Sequence, residues 1–393
     1  MWRAKRGTTV LSLVALGVVG TLLLGACGSD DKGSSAPTTS TPSRTEAPAG
    51  ELPQATQTEL QSAVDASMQT YGEPAAVVGV FVPGKGSWVS ATGVADLATG
   101  EKPTAYMAWP LRSVTKSFTV TLILQLVDEG KISLDDTVDK YLDGVPNGDK
   151  ITIRQLADMS SGLADYTTKA FIDDFVADPD RIFTLDELNA YAFAEPPQFE
   201  PGADYVYTNT NTNVLGSVVE KVTGQSFSEA LSERLLVPLG LTNTLYLDEG
   251  QPWPEPHPTG YQPEDDGQLA EQPANFSVFG PAGALVSNVD DMRVWGEALG
   301  SGSLLDPATQ AERLKGHALT SGPEYDQYAL GIGELDGWWG HTGEGFGFTA
   351  TVMHNPDTGA TIVVYTNKAQ LPDKSHPAEK LFLSLAPIVD GLS

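Results

Sequence analysis

The chain has 393 residues and a net charge of −28, and its composition is that of a globular protein, with 40% apolar residues, 40 glycines and 27 prolines. Such an acidic body repels phosphates, which argues against a nucleic-acid partner. One cysteine excludes an intrachain disulfide, and five histidines without metal-ligand spacing argue against a dedicated metal site.

Taken in order, Arg3, Lys5 and Arg6 followed by the apolar run Val10 to Leu24 read as a secretory signal over residues 1–26. Losing those three cations takes the net charge from −28 to −31. The stretch Leu24-Gly25-Ala26-Cys27 resembles a bacterial lipoprotein signal, which implies a lipid on Cys27 and an extracytoplasmic, membrane-anchored body; the alternative is an uncleaved anchor. Residues 27–54 are rich in Ser, Thr and Pro and read as a flexible tether. From 55 onward Leu60, Val64, Met68 and Tyr71 recur at helical spacing before Gly72. Two β-like runs flank Pro83-Gly84-Lys85-Gly86, a hairpin signal.

Next comes Trp109 to Phe118, leading into the all-round apolar run Thr119 to Glu129 closed by Gly130, which predicts a buried helix. Ser113 falls at its first turn and Lys116 one turn on, on the same face. A helix start favours negative charge on the serine oxygen, and a half-buried lysine beside it can take a proton. Ser-x-x-Lys also occurs at Ser29–Lys32, within the tether, so the motif alone is weak. From about 126 to 319 the patterns are mostly helical. Within them, Tyr207 and Asn209 follow the turn at Pro201-Gly202 and are expected on a loop between helices. The same tripeptide recurs at Tyr365-Thr366-Asn367, at a strand end. Glycines surround His341-Thr342-Gly343, where backbone must come close to something. Late strands near 347–354 and 360–367 and a helix near 377–389 end the chain. The pattern predicts an α/β (α+β) unit, 55–125 with 320–393, around a helical part.

In that order Ser-x-x-Lys, Tyr-x-Asn and His-Thr-Gly resemble the penicillin-recognising serine hydrolases, in the branch of class C β-lactamases, D-Ala-D-Ala carboxypeptidases, D-aminopeptidases and esterases. The likeness spans roughly 55–390 and includes 132–141, 154–163 and the loop Gly280 to Ser287. It implies a β-lactamase-like fold, an antiparallel sheet flanked by helices with an all-helical insert. It further implies that Ser113 is the acylated nucleophile, Lys116 its proton partner, and Tyr207 a general base with a pKa lowered by nearby cations. Asn209 would bind Lys116 and substrate, with His341, Thr342 and Gly343 bordering the cleft and the backbone N–H groups of Ser113 and Glu344 forming the oxyanion hole. No cofactor and no metal are implied, and a monomer acting on a small or peptide substrate, including cell-wall peptide, is expected.

His341 stands where many members carry lysine, and no Lys or Arg occurs from Ala318 to Asn367. Glu344 would repel a substrate carboxylate. The reading favours a D-Ala-D-Ala carboxypeptidase-like or D-amino-acid peptidase, with an esterase or a β-lactamase as alternatives. A catalytically silent binding lipoprotein is the competing class.

Overall fold

The computed structural model describes residues 44–264, 267–369, 371 and 376–392. The signal segment, Cys27 and the tether through residue 43 lie outside the described residues. Seven strands form one antiparallel sheet: β1 (Ala75–Val82), β2 (Gly86–Gly93), β3 (Gln327–Tyr328), β4 (Gly333–Leu335), β5 (Trp338–Gly345), β6 (Phe348–His354) and β7 (Thr361–Thr366), in the order β2-β1-β7-β6-β5-β4-β3. The hairpin expected around Pro83–Gly86 joins β1 to β2.

Every residue of β1, β6 and β7 is buried, because both faces of the sheet are covered. Alternate residues serve the two sides. Val78, Val80, Ile362 and Val364 pack with Leu60 and Val64 of helix α1 (Gln54–Tyr71) and with Leu381 and Phe382 of the C-terminal helix. Val77, Val363 and Tyr365 face the other core, which holds α2 (Thr115–Asp128), α3 (Asn209–Thr223) and α4 (Val289–Ser301).

α2 is the buried helix the apolar run predicts. Its end is a left-handed glycine cap: Gly130 has φ +68°, and Lys131 N–H returns 2.9 Å to Leu126 O.

Two expectations need correction. Residues 44–53 are packed, not a free tether. Arg44 Nη1 donates to Asp291 Oδ1 at 3.0 Å and to Gly240 O at 2.6 Å, and Leu52 N–H joins Ser87 O at 3.1 Å. One arginine with two aspartates at the start of α4 outweighs a Ser/Pro-rich composition. The insert is also not all helical. Leu245–Tyr246 and Leu285–Ser287 extend a small sheet begun by Trp109–Pro110, Tyr261–Pro263 pairs with Leu269–Glu271, and α4 packs on the main sheet. Two- and three-residue strands carry too little alternation to be read. Among the described residues no helix is long and apolar enough to cross a membrane.

Candidate active site

Arg112–Val114 form a 3₁₀ turn that runs straight into α2, so Ser113 sits ahead of the first α-helical turn. Arg112 has φ +50°, a conformation that costs a non-glycine residue about 1–3 kcal/mol. Its buried guanidinium repays this locally. Nε donates to Gly345 O at 3.0 Å, and the head lies 4.4–5.9 Å from the ring centres of Phe276, Phe279, Phe346 and Phe348. Nη1 has no hydrogen-bond partner, and burial lowers the pKa to about 9, with the Glu344 charge opposing.

Lys116 is fully buried. Its Nζ lies 3.0 Å from Ser113 Oγ, 2.7 Å from Asn209 Oδ1 and 3.0 Å from Ala282 O. Burial pushes its pKa down to about 7, against the opposing pull of Asp165. The two carbonyl-type oxygens can only accept. A neutral amine therefore gives them both of its hydrogens and turns its lone pair to the Ser113 hydroxyl. That is the arrangement of a general base beside a nucleophile.

Each partner is fixed by its element. Asn209 is the first residue of α3, not a loop residue, and its N–H donates 2.6 Å to Asp165 Oδ2. Ala282 is held through its own N–H to Asn213 Oδ1 at 3.0 Å, with Thr119 on the preceding carbonyl at 2.7 Å. The Tyr207 segment lies in a cradle: Gly202 N–H to Ser160 O at 2.8 Å, Val206 N–H to Met159 O at 3.0 Å and Tyr207 N–H to Ser321 O at 2.9 Å. Gly162 makes the cradle possible, since a Cβ there would lie 2.1 Å from Phe199 O.

Tyr207 is beside the nucleophile, but its expected low pKa is wrong. Burial raises it well above the ordinary value, Tyr328 and Tyr325 add to this, and only Ser113 among the acting groups favours the phenolate. Lys116 Nζ lies 5.0 Å from the ring centre. An amine that is half neutral at pH 7 supplies too little charge to offset the burial.

His341 also departs from expectation. It is buried, not on the cleft border, and burial takes its pKa to about 3. Nδ1 lies 2.6 Å from Thr342 O, an acceptor, so the hydrogen is on Nδ1 and Nε2 accepts from the Tyr328 hydroxyl at 3.1 Å. Thr342 is turned to Tyr325, with N–H to hydroxyl 2.7 Å and Oγ1 to hydroxyl 2.8 Å. Gly343 lets β5 touch the nucleophile turn, because a Cβ would meet Leu111 O at 2.1 Å. Glu344 is half-buried on the next step of the strand.

The structure thus brings together Ser113, Lys116, Tyr207 and Asn209, with His341, Thr342 and Gly343 behind them. Sequence reasoning missed Asp165, Tyr325, Tyr328 and Arg112. Asp165 lies two residues past a recognised stretch, while Tyr325 stands in irregular chain and Tyr328 in the two-residue strand β3, neither with a periodic signal. Among the described residues no group of acidic, His or Cys side chains could hold a metal.

A family model described as Beta-lactamase matches residues 60–385. A D-aminopeptidase of Brucella anthropi is 29% identical over 274 residues, covering 70% of this chain and 51% of the relative. The chain spans about half the length of the curated relatives it matches. A D-stereospecific amidohydrolase from Streptomyces sp. superposes with a TM-score of 0.71 at 30% identity, covering 84% of this chain and 96% of that one. The D-amino acid amidase from Ochrobactrum anthropi SV3 complexed with D-phenylalanine gives a TM-score of 0.77 at 21% identity, over 86% and 100% of the two chains, and shares the fold. The chain belongs to the beta-lactamase family of serine hydrolases.

Proposed function

We propose that the protein hydrolyses amides of D-amino acids through an acyl-enzyme on Ser113. The observation that carries this is the buried Lys116 amine, bound on two sides by acceptors and 3.0 Å from Ser113 Oγ. Ser113 Oγ attacks the substrate carbonyl carbon as its proton passes to Lys116 Nζ. The developing oxyanion is held by the backbone N–H groups of Ser113 and Glu344. Strand alternation supports the second donor: the Thr342 N–H points off the strand edge to Tyr325, so Glu344, two residues on, faces the same edge. Collapse breaks the C–N bond. Tyr207, whose high pKa keeps its hydroxyl protonated, gives the leaving nitrogen its proton, and Lys116 restores it. Water then cleaves the ester by the same route.

The substrate class rests on charge and on likeness. Glu344 beside the Ser113 turn, its charge shared with the buried Arg112 guanidinium, disfavours a substrate carboxylate, which suits an amino acid amide better than a carboxypeptidase substrate. Relatives at about 30% identity are a D-aminopeptidase and a D-stereospecific amidohydrolase. Ammonia release from D- and L-phenylalanine amide, alongside labelling with a fluorescent penicillin, tests the reading. D-selective release supports it. Penicillin turnover without amide hydrolysis would replace it with a β-lactamase, and ester cleavage alone with an esterase.

We also propose that Cys27 is lipidated and anchors the protein outside the cytoplasmic membrane. The charged-apolar-LGAC order supports this. Cys27→Ala should move the protein out of the detergent phase; a variant that stays membrane-bound and unprocessed overturns it.

A further inference from the structure

Among the described residues, β5, the strand nearest Ser113, has an edge that no other strand covers beyond Gly340: β4 pairs with Trp338, Trp339 and Gly340 and stops. An open edge of this kind is a template on which an extended peptide can add as a further strand. Here it is closed from within. The Thr342 N–H donates to the Tyr325 hydroxyl at 2.7 Å. The Thr342 C=O accepts from His341 Nδ1 at 2.6 Å. With that hydrogen on Nδ1, the Tyr325 hydroxyl gives its own proton to Thr342 Oγ1, 2.8 Å away. All three polar groups of Thr342 are occupied.

The cap is built into the fold. Tyr325 is buried at the end of a strap whose Thr320 N–H reaches Tyr205 O at 2.8 Å and whose Ser321 O receives Tyr207 N–H at 2.9 Å. Gly333 makes room for the ring, since a Cβ there would lie 2.4 Å from it.

Resting on the acyl-enzyme reading above, we propose that Tyr325 and His341 seal the β5 edge at Thr342 and so deny an extended peptide strand pairing on the flank that passes it, leaving the enzyme selective for single-residue amides. A substrate whose scissile carbonyl is held at Glu344 must pass one of its flanks along Thr342, two residues away, whichever way it runs. That flank finds no N–H or C=O to pair with, so lengthening the substrate gains no binding there.

The experiment compares kcat/KM for D-phenylalanine amide with the same residue extended by two glycines on either side. In the wild type, the extension on at least one side leaves kcat/KM within about threefold, within the worth of one hydrogen bond. A rise of about tenfold or more on both sides overturns the proposal. Tyr325→Phe removes the hydroxyl and keeps the ring; it should raise the extended-to-single ratio about two- to tenfold on one flank. An unchanged ratio in a folded variant also overturns it. The wild-type series decides the matter should Tyr325→Phe not fold. Failure of the D-amino acid amide reading is distinct: it shows as no ammonia from D-phenylalanine amide, and the same extensions are then run on D-phenylalanine esters, which meet the same edge.

Discussion

The chain carries the tripeptide Tyr-Thr-Asn twice, at 207–209 and at 365–367, and the two copies do opposite work. Asn209 Oδ1 accepts from the Lys116 amine at 2.7 Å. Asn367 Oδ1 accepts from a backbone amide, Ala75 N–H at 2.7 Å, while its Nδ2 donates to the carbonyls of Val94, Ala95 and Thr259 at 3.1–3.2 Å. The Tyr365 ring is stacked on Trp109, and its hydroxyl reaches Asn288 O at 3.4 Å. The Tyr207 hydroxyl is buried beside Ser113, its one neighbour that favours the phenolate, and makes no well-aligned hydrogen bond. Both tyrosines have pKa values pushed well up by burial. What separates a structural copy from a reactive one is therefore whether the polar atoms are spent on the backbone. The 365–367 copy joins the sheet to its flanking loops, and the 207–209 copy holds an amine.

The sharpest way to break this contrast is at the nucleophile the first copy serves. Ser113→Ala should lower kcat by about 10⁴-fold or more, the scale seen when a serine nucleophile is removed. Tm should stay within a few degrees, because Ser113 caps no helix. Residual turnover within tenfold of wild type would sink the acyl-enzyme. Lys116→Met and Tyr207→Phe should each cost about 10²–10⁴-fold, the worth of a positioned acid or base. The wild-type kcat/KM should rise with pH through about 7 as Lys116 loses its proton. The same titration acts on stability. The Lys116 pKa is lowered from 10.5 to about 7, so between those values the unfolded chain binds more protons and stability rises with pH. Lys116→Met should remove that rise from melting curves taken across this range. A rise of equal size in the variant would mean that Lys116 is not the titrating group.

Much of this was legible in the chain. Strong periodic or continuous patterns gave α1, α2, the β1–β2 hairpin and the last two strands: α1 buries one stripe, while β1, the last two strands and most of α2 are buried throughout and read as apolar runs. The motif residues Ser113, Lys116 and Asn209 do converge. The protonation states were not legible. They depend on burial and on neighbours distant in sequence: Tyr328 and Tyr325 around Tyr207, and Ala282 on Lys116. His341 looks like a cleft residue in the sequence because glycines surround it. In the fold Gly343 admits the Leu111 backbone and Gly340 the backbone of β6, and the ring is shut behind the site. Residues 44–53 were misread because one arginine among small polar residues leaves no periodic trace.

A smaller effect tests the asparagines against each other. Asn209→Ala removes a hydrogen bond to an ionisable amine, worth about 1.5–3 kcal/mol, so kcat/KM should fall about 10- to 150-fold with modest change in Tm. Asn367→Ala leaves the buried Ala75 N–H and the carbonyls of Val94 and Thr259 short of partners and should destabilise by about 2–4 kcal/mol. Its folded fraction should keep the wild-type kcat/KM. Denaturant melts with active-site titration separate the two; activity loss of the same order in both would erase the distinction between the copies.

The smallest effects, and the most telling, are the stability changes at the two tyrosines. Tyr365→Phe deletes a long 3.4 Å hydrogen bond and leaves the stacking on Trp109 intact. A bond of that length is weak, so the loss should be at most about 1 kcal/mol, with kcat/KM unchanged. Tyr207→Phe deletes a buried hydroxyl that makes no well-aligned hydrogen bond and has only Ser113 favouring its charged form, so its desolvation, roughly 1–3 kcal/mol, is poorly compensated in the native state. Its removal should leave Tm equal or raise it, even as turnover falls. The two substitutions are chemically the same and should move stability in opposite directions, with activity following neither. That is the behaviour of a site that gives up stability for reactivity. A clear drop in Tm for Tyr207→Phe would show that the hydroxyl is bonded in the resting protein, and that its place beside Ser113 is structural after all.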